Sequence, residues 1–212
     1  MPPSPLPSDS SGFVSIAQKI PEVLLDIRYY SAYNFVGSRI DGYLAPTALL
    51  TREAAAALKS VSEKACGMGY VLKIFDAYRP QAAIRHFVRW AEDLSDERMK
   101  PIFYPNVEKK DLFRLGYISE RSNHSRGSTV DLTLFDRRLG RDVDMGGPFD
   151  FFGELSHPEY RGVTETQYQN RMLLRSLMKE AGFRPISSEW WHFTLADEPY
   201  PETYFTFPVV LL

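Results

Sequence analysis

Cysteine is almost missing from this 212-residue chain. The single residue, Cys66, excludes an intramolecular disulfide framework and a cysteine-rich zinc cluster. An excess of charge of one sign is missing too: 25 Lys and Arg against 27 Asp and Glu leave a formal charge of −2. That balance argues against a basic face for polyanions, so no nucleic-acid partner is expected. No apolar run approaches the roughly 18–20 residues of a membrane span, so no membrane partner is expected either. Internal repeats are absent. Histidine is scarce, with four residues, so the surroundings of each one carry weight.

What is present reads as one globular domain. A 44% apolar fraction is enough for a sizeable core, and the length suits one large domain. The first twelve residues, with four prolines and four serines, are expected to form a disordered leader ahead of a domain spanning 13–212. This leader has neither the positive stretch nor the apolar stretch of a secretory signal, so the expected location is cytoplasmic. A periplasmic or secreted protein trimmed of its signal would read alike. The oligomeric state is not legible.

Val23 to Ile27 reads as a short extended segment. Thr51 caps a helix running to the glycines at 67 and 69, with Ala54, Leu58, Val61 and Ala65 at helical spacing. Tyr70 to Phe75 reads as a strand, and Pro80 opens a helix to about Glu92. Residues 93–120 and 140–163 read as long loops of the kind that wall a site. From Ser128 to Leu134, Val130, Leu132 and Leu134 alternate with Thr129, Asp131 and Thr133. Thr164 and Gln167 form a capping box for a helix to Glu180. Trp190 to Thr194 is the last strand, and the apolar C-terminal tail docks on the core. Without a regular βαβ rhythm, the expected class is α+β with an antiparallel-dominated central sheet and helices packed on it.

Two histidines sit in unusual company, one in Ser122-Asn-His124-Ser-Arg-Gly127-Ser-Thr-Val-Asp131 and the other in Glu189-Trp-Trp-His192. On the alternating strand, Asp131 points away from the apolar face, into a cleft or solvent. Gly127 lets the chain turn so that His124 returns beside Asp131. His192 projects from one sheet face, and Glu189 reaches the same place only from a bend, which Ser187-Ser188 makes easy. Two neutral imidazoles and a carboxylate are a tridentate set for Zn²⁺ that leaves a fourth position for water. Glu189, fixed beside His192, suits the part of general base, and the reaction class is metal-assisted peptide or amide hydrolysis. Either spacing alone is commonplace; the two together are not. His86, His157 and Cys66 lack companions at ligand spacing.

At these residues the sequence resembles the zinc D,D-peptidases, the family of D-alanyl-D-alanine dipeptidases and carboxypeptidases. Ser122-x-His124-x-x-Gly127-x-x-x-Asp131 with Glu189-x-x-His192 is their paired signature. The likeness is greatest to the VanX-type dipeptidase branch, through Phe75-Asp-Ala-Tyr-Arg79-Pro80 and Asp144-Met-Gly-Gly-Pro-Phe-Asp150, and it spans about residues 20–195. It implies one Zn²⁺ per chain on His124, Asp131 and His192, Glu189 as base, and Arg79 stabilising the oxyanion. It further implies Asp150 at the substrate ammonium, Ser122 at the terminal carboxylate and Tyr29 in the pocket wall. Plainer alternatives stand beside these: an Arg79–Asp76 ion pair, a local cap for Ser122, a core role for Tyr29, and Asp142 or Asp144 in place of Asp150. The implied partner is a small dipeptide. The competing functions are a D,D-carboxypeptidase and a non-catalytic zinc-stabilised binding domain.

Overall fold

The computed structural model describes residues 6–212. Its elements are strands β1 (Phe13–Ser15), β2 (Leu24–Leu25), β3 (Leu49–Thr51), β4 (Tyr70–Asp76), β5 (Thr129–Asp136), β6 (Arg141–Asp142), β7 (Phe183–Pro185) and β8 (His192–Leu195). The helices are α1 (Ile16–Lys19), α2 (Arg52–Gly67), α3 (Gln81–Glu92), α4 (Lys100–Phe103) and α5 (Glu165–Glu180). The main sheet runs β2-β4-β5-β8-β7, with β6 on the far end of β5, and β1 pairs with β3 separately. Every pairing is antiparallel except β2 with β4, so the sheet is mixed but antiparallel-dominated.

Local chemistry explains the long helices. Thr51 Oγ1 accepts from the Ala54 amide at the start of α2, and both arms of the Thr164–Gln167 capping box form at the start of α5. Both helices bury one stripe: Ala54, Leu58, Val61 and Ala65 on α2, Leu174, Leu177 and Met178 on α5. They pack on each other and on β4 and β7. Among the described residues no helix is long and apolar enough to cross a membrane.

Three features differ from the sequence reading. The last strand begins at His192, with Trp190 and Trp191 in the preceding turn, and β7 was not foreseen. The 93–120 loop carries the short helix α4 and a 3-10 turn at Lys109–Asp111. Of the expected disordered leader, residues 1–5 lie outside the described residues. From Leu6 onward the backbone is held instead: Pro7 O accepts from the Thr206 amide and Gly12 O from the Arg52 amide. The C-terminal tail does dock on the core, with Phe205, Phe207 and Val209 buried and Tyr78 Oη donating to Phe207 O at 2.7 Å.

Register places the candidate site. Asp76 on β4 is opposite Asp131 on β5, and Asp131 is opposite His192 on β8, so three adjacent strands put a polar row at one end of the sheet. The β4–β5 register shifts between Ile74 and Asp76, which breaks the regular pleat where that row forms.

Candidate active site

His124 is carried by a 3-10 turn, Asn123–Arg126, that Gly127 ends in the left-handed region at φ 82°. A Cβ on Gly127 would lie 2.3 Å from the Phe13 ring, so both conformation and space call for glycine. The turn is tied to the segment after β4: the Arg79 amide donates to His124 O, and Ser125 Oγ to Arg79 O at 2.8 Å. His124 Nδ1 lies 2.7 Å from Ala77 O. With Nδ1 donating there, Nε2 is left with its lone pair free.

Nε2 lies 3.2 Å from Asp131 Oδ2 and 3.3 Å from His192 Nδ1, and His192 Nδ1 lies 3.1 Å from Asp131 Oδ1. A tetrahedral ion with bonds of about 2.0–2.1 Å sets its donors roughly 3.3 Å apart, so the three residues fit one cation. Asp131 Oδ1 is also buried without a hydrogen-bond partner, an orphan that a cation would satisfy. All three side chains are buried, and together they are the cluster among the described residues able to hold a metal ion. Asp131 points into a cleft, as its strand position suggested, and is itself only 2% exposed.

Charge follows from this packing. Burial alone would raise the Asp131 carboxyl, but the two imidazoles overcome it and hold the group below the usual carboxylate range. Burial lowers His124, whereas His192 is held up against burial by the adjacent Asp131 carboxylate. Burial raises Glu189. Glu189 leaves the bend at Ser187-Ser188 and puts Oε2 3.4 Å from His192 Nδ1, its side chain still 36% exposed.

Arg79 donates from Nε to Asp76 Oδ2 at 2.9 Å and reaches Asp131 Oδ2 with Nη2 at 3.5 Å. Its guanidinium lies 4.9 Å from the Tyr29 ring centre and 5.4 Å from that of Phe87. The ion pair with Asp76 and a place in the cavity wall therefore coexist, and the pair is buried. Asp76 also accepts from Tyr43 Oη at 2.6 Å. The Arg79–Asp76 pair was read from the sequence as a surface contact and proves buried, whereas Tyr43 escaped that reading, because nothing near it in the chain marks a partner 33 residues away.

The cavity encloses about 300 Å³. Tyr29, Asp150, Ser122, Arg79 and Glu189 all line it with the three cluster residues. Tyr29 Oη donates to Asp150 Oδ2 at 2.8 Å. Asp150 sits at φ 61°, the one described non-glycine residue with positive φ, and burial pushes its carboxyl well above its ordinary value. Asp142 and Asp144 face elsewhere, the first paired with Lys73 and the second accepting from Gln167 and the Gly146 amide. Ser122 Oγ accepts from the His124 amide as a local cap. Its own hydroxyl proton is left free to donate. Both long loops contribute walls, Tyr117 and Ile118 from one and Asp150 and Phe152 from the other.

A buried His-Asp-His triad with a carboxylate at its edge, at the end of a mixed sheet, is the donor set of a mononuclear metallohydrolase. Residues 9–210 match the family model of the M15 peptidases, described as D-Ala-D-Ala dipeptidase, so the chain belongs to that metallopeptidase family. It is 41% identical over 199 residues to a D-alanyl-D-alanine dipeptidase of Enterococcus faecalis, covering 94% of this chain and 98% of the relative. A D-alanyl-D-alanine dipeptidase of Streptomyces coelicolor is 41% identical over 197 residues, 93% of this chain and 98% of the relative. One of Escherichia coli is 36% identical over 188 residues, 89% and 86% respectively.

Proposed function

We propose that this protein hydrolyses D-alanyl-D-alanine, or a closely related free dipeptide, to its amino acids with one Zn²⁺ bound to His124, Asp131 and His192. The observation that carries the reading is the convergence of three donor atoms 3.1–3.3 Å apart beside Glu189, in a cavity that Asp150 also lines. The relatives' activity supports the choice of dipeptide. A divalent ion held there would lower the pKa of a coordinated water and polarise the peptide carbonyl.

The chain's own residues do the rest. Glu189 takes the proton of the attacking water on Oε2 and returns it to the leaving amine. Arg79, locked by Asp76 and stacked on Tyr29, donates to the oxygen on which negative charge develops. Asp150, oriented by Tyr29, accepts from the substrate ammonium, and the Ser122 hydroxyl donates to the terminal carboxylate. A cavity of about 300 Å³ walled by two loops is of a size for a small substrate such as a free dipeptide.

Steady-state turnover of D-Ala-D-Ala against its N-acylated analogue tests this reading. Preference for the free dipeptide supports it, and preference for the acylated compound would assign the carboxypeptidase activity instead. Glu189→Gln is expected to keep its zinc, measured by elemental analysis, and to lose at least about a hundredfold in kcat, the usual scale for a general base. Unchanged turnover in that variant would remove Glu189 from the mechanism; zinc binding without any turnover in the wild type would leave only a binding domain.

A further inference from the structure

Two guanidinium groups line the cavity and they are held in different ways. Arg79 is committed to Asp76 and Asp131 at the floor. Arg121 stands exposed at the rim, and among the described residues its side chain makes no hydrogen bond or ion pair. What holds it is the face of Tyr204, 5.5 Å from the guanidinium carbon.

The same ring is shared with Arg126, at 5.9 Å. Arg126 has its counter-ion: Glu198 accepts from Nη2 at 2.6 Å and from Nε at 3.0 Å, and Asn123 Oδ1 accepts from Nη1 at 2.8 Å. Tyr204 thus carries two guanidinium groups, one neutralised and one left over, and the one left over faces the cavity. The other ionisable groups around that space include Asp131, Asp150 and Glu189. Where these carboxylates are ionised they repel an incoming anion.

Resting on the dipeptidase reading, we propose that Arg121 is the cation that receives the C-terminal carboxylate of the dipeptide. A zwitterionic substrate needs one partner of each sign, and Asp150 supplies the negative one. The carboxylate needs a positive partner not already occupied, and a planar guanidinium can meet its two oxygens with two parallel hydrogen bonds. Arg121 directly precedes Ser122, so charge and a neutral donor enter the cavity from one stretch of chain, while Asp150 enters from another loop. Because Arg121 is exposed, its attraction is screened by salt. A free C-terminus becomes a condition of tight binding.

The test is steady-state kinetics of the full chain with D-Ala-D-Ala and with its C-terminal amide, the amide being read as KM or, as an inhibitor, as Ki. Arg121→Ala is expected to raise KM for the free dipeptide about tenfold to a hundredfold, with kcat held within about twofold. Arg121→Lys restores most of the loss, and the wild-type KM rises with ionic strength while that of the Ala variant does not. For the amide, wild type and Arg121→Ala give the same constant. An unaltered KM for the free dipeptide in Arg121→Ala overturns the proposal, as does an equal loss on dipeptide and amide. Failure of the wild type itself to cleave D-Ala-D-Ala overturns the dipeptidase reading beneath it, and is seen before any variant is made.

Discussion

Arg79 shows how one side chain can be fixed by groups that have no part in the chemistry. Asp76 holds Nε, the Tyr29 and Phe87 rings flank the guanidinium, and Nη2 is left pointing towards Asp131. A lysine at the same place keeps the charge but has one donor group instead of a planar fork, so it cannot satisfy Asp76 and a developing oxyanion together. Arg79→Lys is therefore expected to lower kcat by about a hundredfold to a thousandfold with a much smaller change in KM and no change in zinc content. An increase in KM alone, with kcat intact, would assign Arg79 to ground-state binding. His124, Asp131, His192 and Glu189 sit in short patterns that single them out in the sequence, whereas Arg79 and Asp150 came into view only through the resemblance to the family. Tyr43 and Arg121 are marked by neither, because their significance lies in partners that only the folded chain supplies: Tyr43 meets Asp76, and Arg121 meets Tyr204.

At the scale of elements, the site depends on how turns and loops are fastened to the sheet. The 3-10 turn that carries His124 ends at Gly127, where any larger residue meets both a left-handed backbone and the Phe13 ring. Gly127→Ala is expected to cost about 1–3 kcal/mol in urea unfolding and to weaken zinc binding, because the turn cannot shift without moving the imidazole. Stability and zinc affinity equal to wild type would show that the turn adapts. The loop holding Asp150 is fastened by a buried arginine of α5: Arg171 donates to the carbonyls of Met145, His157 and Leu155 at 2.6–2.9 Å. Arg171→Met leaves three carbonyls without that partner and is expected to raise KM for the dipeptide together with the loss of stability. By contrast, Thr164→Ala removes only the cap of α5, and about 1 kcal/mol should be lost with kcat and KM unchanged. The long helices and β4 and β5 were readable from caps and periodicity. β7 and the true start of β8 were not, since strands of three and four residues show too few alternations to separate a strand from the turn before it.

For the whole molecule, the metal cluster joins parts of the chain that nothing local would hold together. His124 and His192 are 68 residues apart and come from a turn and an edge of β8, while Asp131 lies on the central strand. The α+β class was legible from the mixture of helical and alternating patterns, but the row Asp76–Asp131–His192 was not, because cross-strand register depends on the shift in β4. That row brings buried carboxylates and imidazoles together beside the single guanidinium of Arg79, an arrangement that is costly to keep dry. An unfolded chain cannot present three such distant donors to one ion, so binding energy at this site becomes folding energy. With free zinc at about a hundred times its Kd, mass action adds roughly 2.7 kcal/mol, and for a chain of this length that shifts Tm upward by roughly 5–11 °C. Chelation should lower Tm by the same amount in differential scanning calorimetry, and zinc should restore it. His124→Ala, with one donor removed, is expected to show a much smaller response to zinc at the same concentration. A wild-type Tm that does not move between chelator and zinc would mean that His124, Asp131 and His192 meet in the folded state for some purpose other than gripping an ion.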